Sequence, residues 1–465
     1  MNYRHSWEFT LPTPAVTVIS ALGRHTGRIQ QAIAGYGNLR APSTTLAVIR
    51  ILFGATMVVS CVRFISLGWI HDQYIQPMWH FPYDGFDWVQ PLGATGMYMV
   101  FAIMLLAAIC VTLGAWYRIS SVLFFLTFTY VELLDKTYYL NHYYFVSIMA
   151  AMLALLPAHT AWSVDTWLRP RIKQNTVPRW MVDAVKFQIS LVYIYAGLAK
   201  INYSWLIEAM PLRIWLPAND TLPIIGPLMT VSWIPWVFSW AGMLYDVTIP
   251  FWLMNKRTRL FAYCAVITFH TVTGMLFQIG VFPLVMSSLA LVFFFPSQVK
   301  VEAGVPAVQS MALSPPRLQR VIAGVLGVHL VLQVLLPWRY LLQTNDVFWD
   351  EAGYRFGWRV MLMEKAGTAL FSITDRKTGR TTYVNNSDFL NAHQEKQMAM
   401  QPDMVLQYAH MLRTYFSERG MVDPIIKADV WVTLNGAPGK QLIDPNADLS
   451  RMKMGWTSNE WILPR

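Results

Sequence analysis

Nine apolar stretches dominate the chain, at about 46–68, 95–116, 119–134, 142–157, 181–199, 233–254, 260–277, 280–296 and 319–337. A straight helix needs about 20 apolar residues to cross the hydrocarbon core of a bilayer. No other feature limits the fold as strongly. Backbone in lipid must satisfy its own hydrogen bonds, and a helix does so within one segment. Composition agrees, with 55% hydrophobic and 13% charged residues, against about 25% charged in soluble proteins. The reading is mainly α: a polytopic membrane helix bundle of about nine spans, not a soluble enzyme. Several runs are short, so tilted or partly re-entrant helices are expected. Arg50, Arg63, Glu132, Lys186 and His270 fall within or near these runs. Such charges face a bundle interior or snorkel to a surface.

Loop charge sets the orientation. Segments 1–43, 117–118, 158–180, 255–259 and 297–318 hold 14 Lys and Arg residues, whereas 69–94, 135–141, 200–232 and 278–279 hold three. That bias places the N-terminus in the cytoplasm and, with nine spans, the C-terminus on the opposite side. The net charge of +10 is mostly this asymmetry, so nucleic-acid binding is not inferred. The N-terminus lacks a cleavable signal pattern, so the first span is expected to direct insertion. Cys61, Cys110 and Cys264 lie in apolar runs and read as small hydrophobes. Neither a disulfide framework nor metal-ligand spacing is present. Nothing suggests paired, related halves of the kind transporters use.

Three regions follow: a cytoplasmic segment 1–43, a membrane domain 44–337 and a small extracytoplasmic α+β domain 338–465. In the last, "WRVMLMEK", "ALFSITDRKTGRTTYV" and "ADVWVTLNG" alternate apolar and polar residues as half-buried strands do. "DRKTGR" reads as the turn between two of them. Met404, Tyr408, Met411 and Tyr415 recur at helical spacing after a start signal at Ser387-Asp388.

The stretch "LLDKTYYLNHYY", 133–144, places an acid, a lysine, an asparagine and a histidine at a helix break. With the orientation above, Lys136, Asn141 and His142 lie at the outer end of two spans. The run "FQISLVYIYAGLAKINYSW" also ends outward, at Lys200. Three segments thus deliver Lys136, His142 and Lys200 to one leaflet. Simpler roles exist for each. Lys200 could snorkel, Lys136 could pair with Asp135, Asn141 and His142 could cap a helix, and His270 could be a satisfied core histidine. Asp165 in "WSVD" begins an amphipathic cytoplasmic segment. The chemical reading uses burial: a lysine in an apolar pocket loses its proton more easily and can act as a base. A membrane-embedded base suits a membrane-dissolved acid such as a quinol, with histidine and asparagine placed to hydrogen-bond its oxygens.

The blocks "LLDKTYYLNHYYF", "WSVD", "QISLVYIYAGLAKINYSWL", "FHTVTGMLFQIGVFPLVM", "YRFGWRVMLMEKAGTALFSITDRKTGRTTYVN" and "DVWVTLNG" occur in this order over roughly residues 45–460. Together they resemble the vitamin K-dependent γ-glutamyl carboxylase family and its bacterial relatives. The resemblance implies an integral membrane enzyme of a bacterial inner membrane. It would use a reduced naphthoquinone (vitamin K hydroquinone or menaquinol), O2 and CO2, with no metal. Oxygenation of the deprotonated quinol would create a base strong enough to remove a glutamate γ-proton. The carbanion would then take up CO2, and the quinone would leave as its 2,3-epoxide. The family's base lysine matches Lys200 in "AG-x-x-K". Its Asn-His pair matches Asn141 and His142, and its "FH" histidine matches His270. Lys136 and Asp135, from the same block, are placed around the quinol. The partners implied are a glutamate-containing peptide, the quinol and the bilayer. One departure is visible: neither the loop "YIQPMWHFPYDGFDWVQP" nor the outer domain contains the cysteine that joins these parts in animal members. Capture of substrate through a propeptide is therefore not implied. A quinol-linked oxygenase or epoxidase without peptide carboxylation, or a non-enzymatic transporter or scaffold, are the alternatives.

Overall fold

The computed structural model describes residues 35–37, 39–277, 279–296, 316–455 and 459–465. Most of segment 1–43 lies outside the described residues. Seven helices among the described residues are long and apolar enough to cross a membrane. They are α1 (Ser43–Ser66), α2 (Gly93–Leu113), α3 (Tyr117–Leu134), α5 (Arg179–Ala199), α6 (Ile234–Met254), α7 (Arg259–Leu276) and α9 (Pro316–Leu335). A 3-10 turn carries the last on to Leu342. Two others are shorter: α4 (Asn141–Leu155) and α8 (Phe282–Ala290). The count of nine spans is thus not confirmed, the two shorter helices falling on two of the expected runs. The 15 residues of α4 rise about 22 Å, short of the ~30 Å hydrocarbon core. Pro157 forces Leu156 into extended backbone at the end of α4. Pro283 opens α8, which a 3-10 turn at Leu291–Phe294 soon ends.

Helix α5 is the centre of the bundle. Of its most apolar window 78% is buried, against 22% in α7 and in α9, which turn most of their surface outward. A two-stranded ribbon aligns α1 and α5 at one end: β1 (Arg40–Pro42) pairs antiparallel with β2 (Thr176–Pro178) immediately before each helix. Beside it Arg50, fully buried in α1, donates to the Trp162 carbonyl at 2.5 Å. Gly114 ends α2 with φ +66°, and a Cβ there would lie 1.5 Å from the Arg50 guanidinium. Only glycine fits both demands.

The C-terminal region is an antiparallel sheet in the order β4-β3-β5-β6, from β3 (Lys365–Thr374), β4 (Thr381–Tyr383), β5 (Ile425–Leu434) and β6 (Lys440–Gln441). It is backed by α10 (Ala392–Met398) and α11 (Pro402–Glu418). Ile426, Ala428, Val430, Val432 and Leu434 alternate inward along β5 and pack on Met404, Tyr408 and Leu412 of α11. The DRKTGR turn joins β3 to β4 as the pattern requires. Two details differ. The "WRVMLME" run is irregular and the strand begins at Lys365. The helix that carries Met404–Tyr415 starts not at Ser387-Asp388 but after Gln401, while Asn391, whose side chain accepts from the Gln394 amide in a capping box, starts the shorter α10. The loop between α1 and α2 joins this second core, with Phe81 fully buried in it and Trp79 stacked on Phe389 at 4.4 Å.

Candidate active site

Lys200 is the residue that closes α5, and it is 7% exposed. Its Nζ lies 2.8 Å from Asp246 Oδ2 on α6, donates to the Ala196 carbonyl at 3.2 Å and stands 5.4 Å over the Trp205 ring. The contact exists because α5 and α6 cross closely. A Cβ on Gly197 would meet Val247 Cγ2 at 2.6 Å and Val247 N at 2.7 Å. The glycine of the AG-x-x-K motif is thus a helix-crossing residue, three positions before the lysine. Burial is therefore not the whole environment of Lys200. The bare amine argued from desolvation is replaced by an ion pair, because a buried ammonium finds a carboxylate partner.

The pair borders a narrow cavity of about 100 Å³. Its walls are aromatic and aliphatic, among them Trp205, Phe238, Phe269, Phe277 and Phe282. Besides the pair, its polar side chains include Tyr193, His270 and Thr273. His270 is 2% exposed; its Nε2 is 3.0 Å from the Tyr193 hydroxyl, and its Nδ1 has no hydrogen-bond partner among the described residues. An unpaired polar atom is costly in so apolar a setting, so it marks the place for a ligand oxygen. A flat apolar ring system with two oxygens fits this donor and acceptor set. Lys200 and Asp246 would hold one oxygen and His270 another.

His142 is not in this cavity. Its ring lies 5.5 Å from the Phe282 ring, which also meets the His270 ring edge-on at 5.7 Å. His142 faces a second cavity, of about 820 Å³, between the membrane bundle and the C-terminal domain. Ile279 lines both cavities. The structure thus brings His142 next to the Lys200 cavity but across an aromatic wall. Asn141 does not cap α4: Leu140 is the N-cap, and Asn141 Nδ2 donates to the Arg359 carbonyl at 2.8 Å.

Lys136 and Asp135 lie at the junction of the two regions and not against Lys200. Nor do they pair with each other. Lys136 Nζ is 3.0 Å from Asp403 Oδ2 at the start of α11, which also takes Arg355 at 2.7 Å. Burial alone would raise the Asp403 carboxyl, but Arg355 and Lys136 hold it well below the usual carboxylate range. Asp135 accepts from Thr137 N at 2.9 Å, Thr137 Oγ1 at 2.7 Å and Gln394 Nε2 at 2.7 Å. Burial pushes it up to about 6 against those hydrogen bonds. Asp165 accepts from the Trp116 and Tyr117 amides at 2.9 Å and so fixes the start of α3.

Sequence reasoning misses Asp246, Tyr193 and the wall residue Phe282. Asp246 had a signal, being the one acid in the run 234–254. An ionisable residue at membrane depth is a site candidate by default. Tyr193 and Phe282 carry no such signal, since aromatics fill every span.

These features define a class: a polytopic helix bundle with a buried lysine–carboxylate pair, capped by an α+β domain. Residues 38–298 match the family model of the HTTM domain, and residues 318–465 match that of the vitamin K-dependent gamma-carboxylase lumenal domain. The chain belongs to the vitamin K-dependent γ-carboxylase family. No solved structure matches it.

Proposed function

We propose that the protein is a vitamin K-dependent γ-carboxylase that couples oxidation of a reduced naphthoquinone to carboxylation of peptide glutamate. The observation that carries this reading is one apolar cavity lined both by the Lys200–Asp246 pair and by His270, whose Nδ1 has no hydrogen-bond partner among the described residues. Supplied with O2, the bound hydroquinone yields its 2,3-epoxide and water and provides a base stronger than any side chain. The chain's part is to hold and move protons. Lys200 can accept a proton from the hydroquinone only after giving up its own, and Asp246 is the group in contact to receive it. Tyr193 fixes His270 Nε2, which leaves Nδ1 for the second oxygen. The aromatic walls exclude water, which keeps a strong base from being quenched. His142, across Phe282, serves the glutamate side, where a γ-proton leaves and CO2 takes its place. Lys136 and Asp135 act as joints between the regions and not as quinol ligands.

In this reading residues 44–337 form the catalytic membrane domain and 338–465 an extracytoplasmic domain. The N-terminus is cytoplasmic and the membrane a bacterial inner membrane. A peptide glutamate then arrives from outside and the quinol from the bilayer. The test is a membrane assay with vitamin K hydroquinone, labelled bicarbonate and a short glutamate peptide. Epoxide and labelled peptide together support the proposal. Epoxide without label makes the protein a quinol oxygenase, and neither product makes it non-enzymatic.

A further inference from the structure

Two basic side chains on the second cavity, Arg63 and His142, make no side-chain hydrogen bond among the described residues. Arg63, near the end of α1, packs its guanidinium over the Trp69 ring at 4.6 Å and borders this cavity. Among the described residues it meets no carboxylate and donates no side-chain hydrogen bond. Its Nη1 reaches to 3.7 Å from where a Cβ of Gly280 would stand. Gly280 adjoins Ile279, the residue shared with the Lys200 cavity. The guanidinium therefore lies near Ile279, the residue that both spaces share. His142, 8% exposed, also faces the cavity, and its ring nitrogens make no hydrogen bond among the described residues. The other cationic candidate, His393, is engaged with the Thr137 carbonyl at 3.0 Å and stacked on Tyr138 at 4.6 Å. The nearby acid, Asp72, is on the exposed side with His71 at 3.4 Å.

An unpaired guanidinium beside an unpaired imidazole, in a space of about 820 Å³, has the chemistry of a carboxylate site. The planar fork of arginine takes both oxygens of a carboxylate at once, and the volume lies within the range of ligand pockets. Resting on the carboxylase reading above, we infer that Arg63 is the specificity-determining residue that binds the side-chain carboxylate of the substrate glutamate. Held there, the carbon beside the carboxylate points toward the Ile279–Phe282 wall, behind which the strong base is made. The arginine has a second effect. Removing a proton next to a carboxylate puts a second negative charge on that group, and a cation already on its oxygens opposes the cost. The C-terminal domain completes the site by closing the cavity with Asn391 and Gln397.

The full-length protein in detergent or membranes tests this with two titrations. One varies a short glutamate peptide and the other varies vitamin K hydroquinone, each for wild type, Arg63→Gln and Arg63→Lys. The expected result is a peptide KM raised at least about tenfold in Arg63→Gln, an intermediate value in Arg63→Lys, and a hydroquinone KM unchanged in both. A peptide KM unchanged in Arg63→Gln overturns the assignment and makes Arg63 a headgroup-seeking residue. Equal rises in both KM values also overturn it, because they show a structural role. If Arg63→Gln is not recovered from membranes, binding of a fluorescent glutamate peptide to wild type is compared with its glutamine counterpart. Equal affinity for the two refutes the site. Wild type that binds the glutamate peptide selectively without carboxylating it sinks the carboxylase reading and leaves the site standing.

Discussion

Replacing Asp246 by leucine strips Lys200 of the carboxylate 2.8 Å away. Both groups are almost fully buried, Lys200 at 7% and Asp246 at 5% exposure. At an effective dielectric near 20 the attraction is about 6 kcal/mol, and much of it offsets the desolvation of the two charges. Loss of one partner leaves the other charge buried with little to hold it. Asp246→Leu and Lys200→Met should therefore each destabilise the fold by about 3–5 kcal/mol. The double variant, apolar at both positions, should come out near wild type. The coupling in a double-mutant cycle is then several kcal/mol. The assay is denaturant unfolding in detergent micelles at pH 7.5, followed by tryptophan fluorescence. Single-variant losses below about 1 kcal/mol, or losses that simply add in the double variant, would refute a buried ion pair. Asp246→Asn adds a chemical readout: it keeps the size of the side chain but cannot receive the lysine proton. Hydroquinone oxidation should fall by at least about a hundredfold, with hydroquinone binding retained.

Lys200→Ala should abolish epoxide formation, and small primary amines added to the assay should restore part of it; full activity without amine would remove Lys200 from the chemistry. His142→Ala should depress peptide labelling far more than epoxide formation, since the ring faces the other cavity, and equal loss of both products would contradict the two-chamber arrangement. Gly197→Ala should push α5 off α6 at Val247, cost about 1–3 kcal/mol by overpacking and slow hydroquinone oxidation; unaltered oxidation would show that the close crossing is dispensable. The junction should respond to pH with two opposite signs. The Asp135 carboxyl, raised to about 6 in the fold, contributes stability that is fully present below its ordinary value near 3.9 and lost as pH rises through about 6, on the order of 3 kcal/mol. The Asp403 carboxyl is depressed in the fold, so its contribution is present above the ordinary carboxylate range and lost only as pH falls through its lowered value. Proteolysis of the C-terminal domain should thus be slower at pH 5 than at pH 7.5, and Asp135→Asn should flatten that difference.

Much of this molecule is written along the chain. Membrane insertion follows from local sums of hydropathy, and the β3–β4 hairpin from alternation around DRKTGR. Lys200 and His142 stand out because a polar side chain at the end of an apolar run is costly wherever it folds. Two features were less legible. The apolar runs at 142–157 and 280–296 look like spans, yet Leu156-Pro157 ends one helix and a 3-10 turn at Leu291–Phe294 ends the other, because backbone geometry and not hydropathy sets where a helix stops. The block 135–142 reads as one cluster, yet the fold distributes it: Asp135 and Lys136 to the C-terminal domain, Asn141 to the Arg359 carbonyl and His142 to a cavity wall. What the linear order cannot contain is pairing across helices. Asp246 lies 46 residues from Lys200 and Tyr193 lies 77 from His270. Those contacts depend on how closely α5, α6 and α7 approach, which side-chain volumes at crossings such as Gly197 decide. The division of the site into two chambers has the same origin, since Phe282, on α8, becomes a wall only when His142 of α4 and His270 of α7 pack against it.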